Sequence, residues 1–256
     1  NLEGSAMTGV NVTSIERVID IFEAFQTNQR PMSLTDLSEA LGIPKSTCHA
    51  IVSTLMARGY LYTLCRPRAL YPTKRMYDVM CDVFAKDPFI EHATPVLERL
   101  RDATRETVIL GKRQGESVIY LQVIEGLHPI RYAAKPGEFK PLHSSSIGKA
   151  LLGSLKESEL RAWLEGRELA FITSATKIEH DALIQDVLDS RRIGYFVTRG
   201  ENVSDVWAVA TFFTINNETL AVAVAGPRHR IEGNVVECAN LLVATCSFLA
   251  RQQARI

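Results

Sequence analysis

Cysteine is scarce in this chain and scattered. Cys48, Cys65, Cys81, Cys238 and Cys246 are odd in number and include no C-x-x-C pair. That speaks against a disulfide framework and against a zinc ribbon. No apolar run reaches the roughly 18 residues of a membrane span, and no charged-then-apolar leader pattern opens the chain. The expectation is a cytoplasmic protein with no membrane contact. Net charge is also missing: Lys and Arg total 29, and so do Asp and Glu. Any contact with nucleic acid must therefore be local. The six His show no H-x-x-x-H or H-E-x-x-H spacing, so nothing supports a metal at His92, His128 or His180. Neither a metal nor a cofactor is expected. Asn1 to Ala6 precede Met7 and read as a remnant foreign to the fold.

The most pointed absence is of acid. Residues 43–75 carry Lys45, Arg58, Arg66, Arg68, Lys74 and Arg75 and not one Asp or Glu. Positive charge concentrated on a small helical module is the electrostatic footprint of a duplex-DNA reader.

The elements around that stretch fit. Thr13-Ser14-Ile15-Glu16 has the form of a capping box. Ile15, Val18, Ile19, Phe22 and Phe25 follow at helical spacing. Ile21 lies off that stripe, as a lone surface apolar residue or a dimer contact. Ser33 caps a short helix carrying Leu37 and Leu41. Gly42-Ile43-Pro44 breaks it, with Gly suited to a left-handed cap and Pro to a first turn. A third helix is predicted over 44–58, with Ile51, Val52, Leu55 and Met56 inward. Short strands at 60–63 and 69–71 flank Arg66-Pro67-Arg68. The pattern is a winged helix–turn–helix.

A recognition helix reads base edges with its N-terminal residues. Those here are Lys45, Ser46, Thr47 and His49, with Ala50 and Ser53 further along. Ser33 and Thr35 sit at a helix start that suits a phosphate. Arg66 and Arg68 form the wing tip. Cys48 reads as a small core residue. One module offers few base contacts, so a dimer on a pseudo-palindrome is expected. A solvated basic face on a helical bundle is the bland alternative, and a module that docks protein rather than DNA is the functional one.

Residues 74–84 read as a linker helix. Beyond it, helices at 89–104, 147–155, 157–164, 179–191 and 233–254 alternate with strands at 108–112, 118–124, 130–134, 195–199, 206–215 and 219–225. Mixed helices with a mostly antiparallel sheet make an α+β domain. The expected division is 1–6 remnant, 7–73 winged domain, 74–87 linker and 88–256 effector domain.

Two motifs resemble a known family. Leu34-Thr35-Asp36-Leu37-Ser38-Glu39-Ala40-Leu41-Gly42-Ile43-Pro44-Lys45-Ser46-Thr47, with Arg58-Gly59-Tyr60-Leu61, is similar to the helix–turn–helix of IclR-family bacterial transcriptional regulators. Pro141-Leu142-His143-Ser144-Ser145-Ser146-Ile147-Gly148-Lys149-Ala150-Leu151-Leu152 resembles that family's segment leading into G-K-A-L-L. Residues 191–201 and 223–227 match its later strand motifs, so the likeness spans about 12–252.

The resemblance implies a winged-helix domain joined by a helix to a GAF-like effector domain. It also implies a homodimer or dimer of dimers, regulating a catabolic operon, more often by repression. The signal would be a small organic carboxylate, aldehyde or aromatic acid. Three positions depart from the pattern. Ala50 stands where the family often has Arg, Ala208 where it has a pocket Cys, and Thr198 where some relatives have an acid.

A ligand pocket needs a mostly apolar wall with a few placed polar groups. Ser144, Ser145 and Ser146 at a helix start can hold a carboxylate or carbonyl oxygen. Ala208, Ala223 and Ala225 leave space. Thr198, Glu201 and Trp207 complete the candidate set, with Glu201 alternatively a structural ion-pair partner. Trp207 and Ala208 alternate, so only one of them faces the pocket. Ser146-Ile147-Gly148-Lys149 matches the S-x-x-K of serine acylases. The K-T-G and S-D-N partners are missing, and no enzyme is expected.

Overall fold

The computed structural model describes residues 12–65, 68–84 and 88–251. It forms two compact units, divided between residues 87 and 88.

In the first unit, α1 (Thr13–Asn28), α2 (Leu34–Ala40) and α3 (Lys45–Ala57) pack around Ile21, Phe25, Leu37, Cys48, Val52 and Leu55. Ile21 is fully buried, while Ile15 and Ile19 are more than half exposed. The stripe that packs is Val18, Ile21, Phe22 and Phe25. Its i, i+3, i+4, i+7 spacing is one helix face, rotated from the face that Ile15 and Ile19 suggest. The expected capping box at Thr13 is absent. Val12 is the N-cap, and no side chain caps it. Met56 is exposed rather than inward, and Cys48 takes the core place on α3. Its thiol points at the Leu34 carbonyl, and burial raises its pKa.

The α2–α3 turn is locked by Ser38, whose hydroxyl donates to the Ile43 carbonyl at 2.6 Å. Gly42 supplies the left-handed backbone at φ +62°. The wing is β1 (Leu61–Leu64) paired antiparallel with β2 (Ala69–Pro72). Met32 adds a bridge to Leu70, tying the α1–α2 connection to the wing. Phe25, Tyr71 and Tyr62 meet edge to face at 6.0 and 6.4 Å. Then comes α4 (Arg75–Phe84), with none of its residues buried.

The second unit is one antiparallel sheet with helices on both faces. Its strands are β3 (Thr107–Gln114), β4 (Ser117–Ile124), β5 (Phe139–Pro141), β6 (Phe196–Arg199), β7 (Val206–Ile215) and β8 (Glu218–Pro227). They lie in the order β5-β4-β3-β8-β7-β6. The β7–β8 hairpin turns through Asn216 and Asn217, both at positive φ. Two left-handed residues in a two-residue loop match the right-handed strand twist.

On one face lie α5 (Pro88–Thr104) and α10 (Val235–Arg251), the latter led by the short α9 (Arg228–Ile231) and a 3-10 turn. Leu97, Leu100, Leu242 and Cys246 pack there on Val108, Leu110, Val222 and Val224. The stretch Arg228–Arg251 is long and apolar enough to cross a membrane by length and composition alone. Its buried side chains here cover the sheet.

On the other face lie α6 (Ser146–Gly153), α7 (Glu157–Leu164) and α8 (His180–Ile193). Every residue of α6 is buried. The expected strand at 130–134 does not form. Its segment is bonded to side chains instead of a ladder: the Thr107 hydroxyl donates to the Tyr132 carbonyl and the Arg230 guanidinium to the Ile130 carbonyl. The three-residue β5 takes the sheet edge.

Candidate nucleic-acid interface and ligand pocket

The opening of α3 presents Lys45, Ser46 and His49 to solvent, with Thr47 half-buried. Ala50 and Ser53 extend the exposed face, and His49 Nδ1 lies 3.5 Å from the Ser53 hydroxyl. Arg68 is exposed in the β1–β2 turn at the wing tip, and Arg66 lies outside the described residues.

The start of α2 is different. Ser33 Oγ accepts from the Asp36 N–H at 3.1 Å, and Asp36 Oδ2 accepts from the Ser33 N–H at 2.8 Å. Those bonds from Ser33, backbone first, hold the Asp36 carboxyl below its ordinary range. Arg30 adds an ion pair at 3.6 Å. A carboxylate thus already sits on this helix start, so Ser33 and Thr35 offer a phosphate less than the helix dipole alone suggests.

The pocket lies over the α6 face of the sheet. Thr198, Ala208 and Ala225 stand in one cross-strand row, with Ala210 and Ala223 in a parallel one. Directly opposed residues in an antiparallel pair share a face. Ala208, Ala223 and Ala225 floor a trough walled by Ile109, Tyr120, Tyr132 and Val206. Asn202, Val203, Ser145 and Ser146 complete the lining. The enclosed space is about 30 Å³, and about 400 Å³ when the open mouth is counted with it.

Six expected pocket residues line this space: Ser145, Ser146, Thr198, Ala208, Ala223 and Ala225. Three do not. Ser144 is fully buried behind the pocket, its hydroxyl accepting from Asn202 Nδ2 at 3.1 Å. Glu201 is turned inward against Lys149 Nζ at 2.5 Å. Trp207 faces the opposite side of the sheet, between the guanidinium groups of Arg199 and Arg228 at 5.5 and 5.6 Å. Strand alternation puts Ala208 in the pocket and Trp207 out of it.

The polar groups differ in what they have left to offer. Ser145 Oγ donates to the Pro141 carbonyl and accepts from the Gly148 N–H, which commits it as the α6 N-cap. The hydroxyls of Ser146 and Thr198 make no hydrogen bond with the described residues, although each residue is at least nine-tenths buried. Both hydroxyls open onto the pocket space, where each can still bond a ligand. Tyr120 is buried with the Tyr132 hydroxyl beside it, and burial first, then Tyr132, raises its phenol well above the usual value. It is neutral and can donate.

No lining side chain is charged. The nearest candidates are spent on one another. Lys149, fully buried, pairs with Asp186 at 2.6 Å and Glu201 at 2.5 Å. Lys177 pairs with Asp186 at 2.6 Å. A lysine gripped by two carboxylates is no general base for Ser146. His143, beside the serines in sequence, points Nε2 at the Ala170 carbonyl at 3.0 Å. Its burial lowers the imidazole pKa. Neither nucleophile–base geometry expected of a serine acylase is present.

Sequence reasoning missed Ile109, Tyr120, Tyr132, Asn202, Val203 and Val206. Tyr120 was within reach, two residues from Val118 on one strand face. Tyr132 was not, since its place over the floor comes from tertiary contacts, among them the Thr107 bond to its carbonyl.

Family models match both units. The IclR helix-turn-helix domain covers residues 14–64 and the bacterial transcriptional regulator IclR C-terminal domain residues 81–249. The HTH-type transcriptional regulator XynR of Escherichia coli is 30% identical over 78% of this chain and 79% of its own. The Thermotoga maritima IclR structure superposes with a TM-score of 0.81 at 20% identity, over 95% of this chain and 99% of that one. An IclR homologue from Microbacterium hydrocarbonoxydans complexed with 4-hydroxybenzoate gives 0.76 at 18% identity, over 95% and 100%. A winged module with an exposed, acid-free reading helix, a sheet domain with an uncharged pocket, and a family match across both lead to one conclusion: the chain belongs to the IclR family of bacterial transcriptional regulators.

Proposed function

We propose that this protein is a ligand-responsive repressor of a catabolic operon, reading operator DNA with α3 and the wing and sensing a small organic acid in the second unit. The observation that carries it is the pair of pocket-lining hydroxyls, Ser146 and Thr198, which make no hydrogen bond with the described residues and stand over an alanine floor. They are placed to receive a carboxylate, aldehyde or phenol oxygen, helped by the N–H groups at the start of α6. Tyr120 adds a neutral donor and an aromatic wall. The 4-hydroxybenzoate in the Microbacterium homologue is a ligand of this chemistry.

The reading face supports the DNA half. Lys45 and Arg68 supply charge, and Ser46, Thr47 and His49 supply groups that bond base edges or phosphates. Assembly as a homodimer, or a dimer of these, is part of the proposal. It rests on α4, where Tyr77, Met80, Val83 and Phe84 are all exposed, a pattern that marks an interaction surface. Ligand acts by binding one DNA-module spacing better than another, since only differential affinity shifts a population. Fluorescence anisotropy with the DNA upstream of its own and neighbouring genes tests the proposal. Affinity should fall steeply with salt and change when 4-hydroxybenzoate or a related acid is added. Salt-insensitive or absent binding refutes the DNA half.

A further inference from the structure

The side of the pocket formed by Asn202 and Val203 belongs to the connection between β6 and β7, and its geometry is set from behind. Gly200 opens it at φ +77°, where a Cβ would lie 2.6 Å from the Ser204 carbonyl oxygen. Its N–H donates to the Val206 carbonyl. Glu201 follows, 3% exposed, with its carboxylate driven under the pocket into Lys149. Asn202 then returns to the surface of the pocket, bonded to Ser144.

Lys149 is on α6, one turn beyond the pocket serines. The helix start and the loop are thus joined twice, by Ser144–Asn202 and by Lys149–Glu201. A second segment is tied to the same loop. The Thr173 hydroxyl donates to the Gly200 carbonyl and the Thr176 hydroxyl to the Glu201 carbonyl, each at 2.7 Å. Lys177 lies 3.9 Å from Glu201 and 2.6 Å from Asp186. Two lysines and two carboxylates alternate here, with Lys149 and Glu201 buried and Asp186 and Lys177 partly exposed. A network of this kind costs desolvation and holds a unique arrangement in return.

We propose that Glu201 and Lys149 are positioning residues of the effector pocket. They set Asn202 and Val203 against the ligand, and through the same charges they make the 173–177 segment follow the pocket wall. This rests on the ligand reading above, and goes beyond it by placing control of the pocket in residues that do not line it. Neutralising Glu201 removes one of the two ties between the loop and α6 and the Lys177 contact to the 173–177 segment, which loosens both while the sheet beneath is untouched.

The test is hydrogen–deuterium exchange on the full chain, comparing wild type with Glu201→Gln. In the variant exchange should rise by about ten-fold or more in peptides covering 198–206 and 170–178, with β8 unchanged. Unchanged exchange in 198–206, or a rise spread equally through β8, overturns the proposal. The second outcome would show a merely structural ion pair. Calorimetric titration with 4-hydroxybenzoate is run alongside. Where wild type binds it, Glu201→Gln should weaken binding about ten-fold or more without altering operator affinity in its absence; an unchanged affinity overturns the proposal. A wild type that fails to bind it counts against the ligand reading alone, and the exchange result still decides the role of Glu201.

Discussion

Lys45 and Arg68 are the residues on which the reading face stands or falls. Each is exposed and lies outside any ion pair among the described residues. Lys45→Ala and Arg68→Ala should weaken operator binding and lower the salt slope by about one if each neutralises one phosphate. Anisotropy at several salt concentrations reads this directly, and unchanged affinity for both variants would remove the assigned surface. His143 makes a second residue-scale prediction. Burial holds its folded pKa below the ordinary 6.5, so the folded state resists the proton that the unfolded chain accepts. Stability from His143 is therefore complete above pH 6.5 and is lost as pH falls below it. Denaturant unfolding of the second unit should weaken from pH 6.5 downward, and His143→Gln should flatten that slope. Asp186 is depressed too: burial raises it, but Lys149 and Lys177 outweigh that. Its share of stability stays intact above its ordinary 3.8 and is lost only below it.

At the scale of elements, α6 is the piece on which the pocket depends. Its close approach to the sheet is made possible by glycine. A Cβ on Gly148 would collide with the Leu142 backbone, and one on Gly153 with the Phe196 ring. Gly148→Ala should cost about 1–3 kcal/mol or more through forced backbone shifts, seen as a lower thermal midpoint of the second unit. Lys149→Met should cost about 3–5 kcal/mol, because Asp186 and Glu201 are left sharing a buried site with one cation fewer. The helices of the first unit were legible because their boundaries are chemical: Ser33 with Asp36, Gly42 and Gly59 each mark a cap or a turn. The start of α1 was misread because a T-x-x-E match describes a possible cap, and Val12 instead is the N-cap, with Thr13 already helical. The 130–134 strand was misread because apolar alternation cannot show that side chains, Thr107 and Arg230, take the hydrogen bonds a ladder would need.

For the whole molecule, the exposed face of α4 carries the assembly prediction. Val83→Glu with Phe84→Glu should lower the oligomeric state in sedimentation velocity and weaken operator binding together. Loss of assembly with operator affinity intact would separate dimerisation from DNA reading. Much of the candidate site was visible at this scale, because the serine segment and the alanines announce a helix start and an emptied strand face. Glu201, Ser144 and Trp207 were drawn into the same expectation by sequence nearness to those residues. Neighbours along a strand point to opposite faces, and neighbours in a loop turn inward or outward according to what lies behind them.

The sequence by itself determined the two-part organisation, the helix–turn–helix, the acid-free reading helix and the small-residue floor of the pocket. Each of these is a local pattern: a periodicity, a cap, a local charge balance or a run of side-chain sizes. Only the tertiary structure decided which apolar face of α1 is core, that Tyr120 and Tyr132 wall the pocket, and that Lys149 is spent on Asp186 and Glu201. The last of these depends on residues 37 and 52 positions apart in the chain meeting in one place, and no local pattern encodes which charges will find each other.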